Sequence, residues 1–361
     1  MKKLGEVCEI KTGNKDTQNK VENGKYPFFV RSNTVEKIDS YSYDGEAILT
    51  SGDGVGVGKN FHYINGKFDF HQRVYALRNF RNGYSGKYIY HLFSEKFYDR
   101  VRKLSAKNSV DSVRMDMISE MKVYFPLLLE QQKISSFLSL IDERIQTQNK
   151  IIEGLEKLKV ATAKKIFSQE FRFKDNNGND FSKWEEMKLK NIVIIQMGQS
   201  PDSSSYNFEN IGIPLIQGNA DILNRKSNPR QYTSKPTKFC DVGDLLLTVR
   251  APVGYVGKSK HYACIGRGIC SVKNNDKSIL EFIYQFLLYF EDKWKSIEQG
   301  STFTAVNSSD INSINILLPS IPEQTKIANF LSAIDSKIDM ENQLLQKLEE
   351  QKKFLLQNMF V

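Results

Sequence analysis

The chain has 361 residues and a formal net charge of +9, which suggests two or more domains and an acidic partner, nucleic acid first. A basic protein with no nucleic-acid partner would show the same balance. The four cysteines form no CxxC pair, which indicates reduced thiols. Because no apolar run approaches a membrane span and the start has no signal-peptide core, we expect a cytoplasmic protein.

The first part of the chain predicts a globular unit followed by a long helix. The strand AILTS at residues 47–51 enters a glycine-rich loop, and the strand VYALR follows at residues 74–78. An amphipathic pattern over residues 85–104, basic at its end, predicts a helix. We assign residues 1–125 to a first domain and residues 126–170 to a first spacer helix.

The second part repeats this plan after a polar connector with aromatic residues, FRFKDNNGNDFSKWEE. The strands NIVIIQM, DLLLTV and ICSV are followed by a helix from residue 278 to about residue 299. We assign residues 171–318 to the connector and a second domain, and residues 319–361 to a second spacer helix. Strands and helices do not alternate regularly, so each domain is expected to be α+β.

The two long helices are copies of one another at an offset of 193 residues. Between residues 126–167 and 319–360, 16 of 42 aligned positions are identical, far more than unrelated segments would share. Apolar residues recur by threes and fours, as in a coiled-coil seam. These seam residues are Ile134, Leu138, Ile141, Ile145, Ile152, Leu155, Ile327, Leu331, Ile334, Ile338, Leu345 and Leu348. Both copies carry a polar seam residue at the same place, Gln148 and Glu341.

The order of unit, helix, unit, helix predicts that the two helices run antiparallel as a coiled coil, provided that a two-fold axis relates the halves. A helix of about 38 residues is about 57 Å long. Residues 320–323 fit a capping box at the start of the second helix, with Pro322 in its first turn. Asp142 and Asp335 recur beside the seam, where contacts between helices are a better interpretation than acid–base chemistry.

The repeat extends into the globular units. Residues 26–33 parallel residues 213–219, and residues 113–126 match residues 306–319 without a gap. Arg73 matches Arg267, and we interpret both positions as lying in strands, where a structural role would also explain them. Two glycine-rich loops end in Lys59 and Lys258. Neither has the full P-loop spacing, so nucleotide binding is disfavoured, but tight turns that present a lysine to phosphates remain open.

No catalytic constellation is found in the sequence. The four histidines show no metal spacing, and neither a nucleophile elbow, nor a metalloprotease motif, nor the tetrapeptide of an amino-methyltransferase is present. Basic and amide residues on loops suit base edges and phosphates better, although any one of them could instead be solvated or structurally paired. The DNA-binding candidates are Arg31, Asn33, Lys59, Arg73, Lys107, Asn108, Gln217, Asn219, Arg250, Lys258, Arg267, Ser301 and Thr302.

The duplicated signature EQxKIxxFLSxID, preceded by proline, resembles the conserved helical regions of specificity subunits of type I restriction-modification systems. The resemblance covers nearly the whole chain. It implies two target recognition domains that each read half of a gapped double-stranded DNA site, with the helices as a ruler between them. One departure is that the lead-in before the second unit, residues 171–189, has no counterpart before the first unit, which puts packing of the second helix's end against unit one in question.

The resemblance also implies a chain without catalytic activity. Methyltransferase subunits, two of them by expectation, and restriction or translocase subunits would bind it and hold S-adenosylmethionine, ATP and magnesium. A coiled-coil scaffold whose domains bind proteins is the alternative, and it does not explain the basic charge. A self-contained DNA-modifying enzyme is weaker, because no cofactor or nuclease motif is present.

Overall fold

The computed structural model describes residues 1–54, 56–105, 112–299 and 305–360. It divides the chain into two compact units, and each unit contains parts of both long helices. Unit 1 comprises Met1–Lys150 and Gln343–Val361, and unit 2 comprises Ile151–Asn342. Each unit mixes sheets with helices, which confirms the α+β class.

Unit 1 is built on a six-stranded sheet with the order β2-β7-β5-β6-β3-β4, in which only β3 and β6 pair in parallel. Helix α2 buries Phe93 and Phe97 against the sheet, and Phe61 of β6 meets Phe93 edge-on at 5.4 Å. The elements of this globular part are β1 (Lys2–Lys3), α1 (Leu4–Val7), β2 (Glu9–Thr12), β3 (Tyr26–Phe29), β4 (Val35–Ile38), β5 (Tyr43–Ser51), β6 (Phe61–Phe70), β7 (Val74–Arg78), α2 (Gly86–Leu104), α3 (Met115–Ser119) and β8 (Lys122–Val123).

Unit 2 has a six-stranded sheet, β10-β20-β17-β18-β14-β13, and a five-stranded sheet, β11-β15-β12-β19-β16. Helix α5 buries Phe282 and Leu287 in the core, and Trp294 is 1% exposed. The elements are β9 (Glu185–Lys188), β10 (Val193–Met197), β11 (Tyr206–Asn207), β12 (Ile213–Ile216), β13 (Ile222–Leu223), β14 (Lys226–Ser227), β15 (Gln231–Thr233), β16 (Phe239–Cys240), β17 (Leu245–Thr248), β18 (Val256–Lys258), β19 (Ala263–Ile265), β20 (Ile269–Asn274), α5 (Leu280–Gln299), α6 (Ser308–Asn312) and β21 (Asn315–Leu318).

The repeat predicted from sequence is present in the strand order. The run β2-β7-β5-β6 of unit 1 corresponds to β10-β20-β17-β18 of unit 2. The first run packs against α2, and the second packs against α5. A second pairing is also shared, because β1 joins β8 in unit 1 and β9 joins β21 in unit 2. The two units therefore share one fold plan.

The long helices are α4 (Leu128–Phe167) and α7 (Ile321–Met359), and they run antiparallel. In unit 1 the start of α4 packs with the end of α7, because Leu138 and Phe360 share one core. In unit 2 the end of α4 packs with the start of α7, because Ile166 and Ile327 share another. All twelve seam residues predicted from the sequence are buried or partly buried, and Gln148 is 5% exposed.

Three details of the helices settle questions raised by the sequence. The predicted capping box is wrong, since the Ser320 hydroxyl is buried without a hydrogen-bond partner among the described residues and Glu323 binds Arg172 instead. Helix α4 continues without a break through Gly154. The end of α7 does pack against unit 1, where the Phe360 ring lies 5.3 Å from that of Tyr88.

Membrane-spanning helices and metal-binding clusters are both absent from the described part of the chain. No helix there is long and apolar enough to cross a membrane. No cluster of three or more histidine, cysteine or acidic side chains that could hold a metal ion is found in those residues. All four cysteines are free and buried, and burial raises the pKa of the Cys8 and Cys270 thiols to about 12, so both remain protonated thiols at neutral pH.

Candidate nucleic-acid interface

Unit 2 has a small polar cavity of about 170 Å³ at one edge of its sheets, which we call the unit 2 cavity. Four of the residues predicted to contact DNA come together there although they are far apart in sequence. The lining residues are Ser200, Gln217, Gly218, Asn219, Arg250, Ala251, Arg267 and Gly268.

Strand ends and turns place these side chains in the cavity. Gln217 directly follows β12, and Arg250 comes two residues after β17. Arg267 lies in the turn between β19 and β20, and Arg73 lies in the turn before β7, so the interpretation of both as strand residues is wrong. Loops at strand ends carry side chains on a rigid scaffold without using them for the core, which suits a binding site.

The rim of the unit 2 cavity is held by hydrogen bonds to neighbouring residues. The Gln217 amide nitrogen donates to Gln231 Oε1 at 3.1 Å, and the Gln217 backbone N–H donates to the buried Asp221 carboxylate at 2.8 Å. Arg230 neutralises Asp221 at 2.9 Å. Gly268 is required here, because a Cβ at this position would lie 2.2 Å from the Gln217 carbonyl oxygen.

Among the described residues, the unit 2 cavity has side-chain groups without a partner, and they are of types that can contact nucleic acid. Asn219 Oδ1 is buried and has no hydrogen-bond partner within the described residues, and a buried acceptor of this kind favours a ligand that donates. Arg250 and Arg267 are exposed, and the structure pairs neither guanidinium with a carboxylate in the part of the chain it describes. Guanidinium forks suit phosphate or guanine, and an asparagine amide suits adenine.

Unit 1 brings two predicted arginines together around one carboxylate. Asp53 lies 3.2 Å from the Arg31 guanidinium and 3.8 Å from Arg73 Nε. Both arginines remain about half exposed or more, with side-chain exposures of 47% and 67%. Exposed pairs of this kind contribute at most about 1 kcal/mol to stability, so orientation of the guanidinium groups is the better explanation for Asp53.

Asp53 of unit 1 and Arg250 of unit 2 occupy the same place in the repeated fold. Asp53 bridges to Ser112 and Arg250 bridges to Ala305, and these two bridge partners are 193 residues apart, as in the helices. One position of the shared scaffold therefore carries a negative charge in unit 1 and a positive charge in unit 2.

A buried histidine supports the unit 1 site. The ring of His71 is 2% exposed, and its Nδ1 accepts the Arg73 backbone N–H at 2.9 Å. Burial and the nearby Arg31 charge lower the pKa of His71, while Asp16 and Asp53 oppose this shift. His71 is therefore neutral at physiological pH, and it fixes the turn that carries Arg73.

The two glycine-loop lysines do not join these sites. Lys258 forms an ion pair with Glu281 and lies over the Tyr284 ring at 4.3 Å, both on α5, and it does not line the unit 2 cavity. The structure thus packs Lys258 against α5, and its predicted phosphate contact stays a prediction. Lys59 is exposed and lies 4.9 Å from the centre of the Tyr98 ring on α2.

The remaining predicted candidates divide into two groups. Asn33 is exposed two residues after Arg31. Lys107, Asn108, Ser301 and Thr302 lie outside the described residues. The sequence reasoning missed Asp53 and Asp221 as supports of the two sites, because their contacts with arginine side chains are formed by the folded loops.

Comparison with known proteins gives a family for this arrangement. The model of the type I restriction modification DNA specificity domain matches residues 1–157 and 181–350. A Methanocaldococcus jannaschii protein, named for the MjaX type I restriction enzyme specificity subunit, is 36% identical over 78% of this chain and 68% of its own length. The EcoDI specificity subunit of Escherichia coli is 22% identical over 90% of this chain and 78% of its own length.

Solved structures share the fold. A type I restriction-modification S subunit from M. genitalium superposes with a TM-score of 0.70 at 18% identity, over 100% of this chain and 95% of its own. A chain from a study of assembly of the type I system gives a TM-score of 0.63 at 22% identity, over 99% and 96% of the two chains. The chain therefore belongs to the family of type I restriction-modification DNA specificity subunits.

Proposed function

We propose that this chain is the DNA-reading subunit of a type I restriction-modification system and that each unit contacts one half of a gapped DNA target. The observation that carries the proposal is the unit 2 cavity, where Gln217, Asn219, Arg250 and Arg267 converge around an unpartnered acceptor. Family membership and the net charge of +9 support it. A protein scaffold would not need two exposed guanidinium groups that have no carboxylate partner among the described residues.

The proposed readout differs between the two units. In unit 2, Arg250 and Arg267 would contact guanine or phosphate and Asn219 would contact adenine. In unit 1, Asp53 would hold Arg31 and Arg73 in a defined geometry toward the bases. A split site with two unlike halves follows from this difference.

Helices α4 and α7 would set the spacing of the two half-sites. About 40 residues of helix measure about 60 Å, which limits the separation to roughly 15–18 base pairs at about 3.4 Å per step. Two weak contacts on one rigid connection raise each other's effective concentration. The chain would then tolerate changes in half-site spacing poorly.

The chemistry would belong to partner subunits. The unit 2 cavity carries arginine and amide groups, which suit binding, and membership in a DNA specificity family supports a binding role for this chain. Methyltransferase subunits, two in our proposal, and restriction or translocase subunits would dock on it, and S-adenosylmethionine, ATP and magnesium would bind in those partners. Their assembly on this chain would deliver methylation and cleavage to the recognised sequence.

Selection of bound duplexes from a randomised library tests the proposal. The full chain, with and without a methyltransferase subunit, is expected to enrich a two-part motif with a fixed gap. Arg250→Ala should relax one half of that motif and weaken binding about 5- to 150-fold, as expected for a lost base contact of about 1–3 kcal/mol. The other half of the motif should be unchanged.

Lys258→Ala is the matched control, because it removes the same charge from an ion pair outside the unit 2 cavity. Its affinity should stay within about two-fold of the unaltered chain, a shift typical of a surface charge away from the contact. No enrichment of any motif, or the same loss for both variants, would refute the proposed reading.

A further inference from the structure

Unit 1 carries a large open groove beside the start of α4, which we call the unit 1 groove. Its volume is about 920 Å³, far larger than the unit 2 cavity. Apolar and charged side chains line it together, including Leu92, Tyr124, Phe125, Glu130, Ile134 and Phe360. Exposed apolar surface of this extent on a folded domain needs an explanation.

The repeat shows how the equivalent surface of unit 2 is covered. There the connector between α4 and β9 packs against the start of α7, and Trp184 becomes 8% exposed. Arg172 donates to both oxygens of Glu323 at 3.1 and 2.6 Å, and the Trp184 indole donates to Glu323 at 3.0 Å. Glu323 is 0% exposed as a result.

Glu130 is the counterpart of Glu323 in unit 1, 193 residues earlier, and it lines the unit 1 groove as an exposed side chain. The described residues place no arginine or tryptophan on it. The neighbouring Leu127 and Leu129 are 82% and 73% exposed. A carboxylate that binds a guanidinium and an indole in one copy of the fold is therefore open in the other.

The strand pairing beside the groove also differs between the two units. In unit 2, β9 pairs with β21 over four residues, whereas in unit 1 β1 pairs with β8 over two. The unit 1 counterparts of Leu317 and Leu318 are Tyr124 and Phe125, which lie beyond β8 and line the groove. Leu318 is 7% exposed whereas its counterpart Phe125 is only partly buried, and Leu317 is 39% exposed whereas its counterpart Tyr124 is 64% exposed. Addition of a strand to an exposed backbone edge is a common mode of peptide recognition.

We propose that the unit 1 groove binds an extended segment of a partner polypeptide that carries an arginine and a tryptophan, as residues 168–188 of this chain do. Its guanidinium and indole bind Glu130, its aromatic side chains cover Leu127 and Phe125, and its backbone extends the β1–β8 pair. This interaction surface does not depend on the DNA-reading role.

The probe for this site is a fluorescein-labelled peptide with the sequence of residues 168–188, titrated with the full chain and followed by fluorescence polarisation. We expect saturable one-to-one binding. A peptide with alanine at the positions of Arg172 and Trp184 should bind at least about 10-fold more weakly, since about 1.4 kcal/mol of lost contact is ten-fold in affinity.

Two variants of the chain distinguish the unit 1 groove from any other surface. Glu130→Lys should weaken peptide binding at least about 10-fold. Glu143→Lys makes the same charge change on the same helix, at an exposed position outside the groove, and should bind as the unaltered chain does. Circular dichroism of both variants checks that the fold is kept.

Three outcomes would overturn the proposal. The peptide could show no saturable binding up to about 1 mM, a concentration that corresponds to a binding free energy of about −4 kcal/mol. Binding weaker than this would not indicate a specific site. Glu130→Lys and Glu143→Lys could lower binding equally. Concentration-dependent self-association that Glu130→Lys abolishes would assign the groove to a second copy of this chain and not to a partner.

Discussion

Lys159 of α4 donates to Asp335 of α7 at 2.5 Å, and the same pair recurs 193 residues away as Lys352 with Asp142, also at 2.5 Å. Lysine and aspartate exchange helices between the two pairs. This relationship fits antiparallel helices whose sequences repeat at an offset of 193 residues. The prediction that Asp142 and Asp335 make contacts between helices is therefore confirmed.

The Lys159–Asp335 pair should show measurable coupling in a double-mutant cycle. Lys159 is 17% exposed and Asp335 is 35% exposed, so the pair is screened less than a surface pair. We expect a coupling of about 1 kcal/mol in the free energy of unfolding, measured with Lys159→Ala, Asp335→Ala and the double variant. Chemical denaturation near neutral pH gives these values.

The exposed pair of Lys157 and Glu153 on α4 is the matched control, with side chains 75% and 62% exposed. Its coupling should be clearly smaller than that of the Lys159–Asp335 pair, because solvent and salt screen an exposed pair. Equal coupling in the two cycles would mean that the Lys159–Asp335 contact contributes nothing beyond an ordinary surface pair.

His91 should make unit 1 sensitive to acid. Burial lowers its pKa to about 4, while Asp142, 3.9 Å away, opposes the shift. Between pH 6.5 and pH 4 the unfolded chain binds a proton at His91 and the folded chain does not. The free energy of unfolding is therefore highest above pH 6.5 and falls as the pH drops toward 4. The loss can reach about 3 kcal/mol.

The repeat supplies the variant that tests this, since Gln285 stands at the position of His91 and donates to Asp335 at 2.8 Å. His91→Gln should reduce the loss of stability between pH 7 and pH 5, measured by chemical denaturation. Some pH dependence will remain, because the pKa values of His62 and His71 are also lowered, chiefly by burial. An unchanged pH profile would exclude His91 as its source.

Asp53→Asn should change how unit 1 binds DNA and not whether it binds. The substitution keeps the shape and frees Arg31 and Arg73 from a carboxylate. We expect tighter non-specific binding at low salt, a steeper salt dependence by up to about one unit of slope, and a relaxed half-site. Asp99→Asn on α2, which makes the same charge change, should leave the motif intact. Tighter discrimination in Asp53→Asn would contradict the orienting role.

The spacing between half-sites should follow helix length. Seven residues inserted after both Gln148 and Glu341 preserve the seam and add about 10.5 Å, or about three base pairs. The preferred gap should lengthen accordingly or binding should be lost. The same insertion in the exposed turn at residues 176–178 should leave the gap unchanged. A gap that ignores the helix insertions would refute the ruler.

The repeat and the helix seam could be predicted from the sequence because each leaves a periodic pattern. Leu138 and Leu331 are identified by spacing alone, and both are 0% exposed. The binding sites were harder to predict, since they depend on turns that bring distant residues together. Arg250 and Gln217 were candidates without a known relation, and only the folded sheets place them at one cavity.

The sequence did not show the tertiary partners of two charged side chains. Lys258 and Glu323 were assigned roles from local motifs, a glycine loop and a capping box. In the structure both side chains form ion pairs with residues distant in sequence. Glu281 binds Lys258, and Arg172 binds Glu323. Charge pairs formed in tertiary structure leave no local pattern, so neither contact could be read from neighbouring residues.

Genome-wide sequencing of methylated bases, in the host with and without this gene, tests the central claim most directly. The account predicts a gapped two-part motif that is methylated in the presence of the gene and unmethylated after its deletion. Restoring the gene with Arg250→Ala should return methylation to a motif relaxed in one half only. A methylation pattern that is the same with and without the gene would contradict the proposed role in DNA recognition.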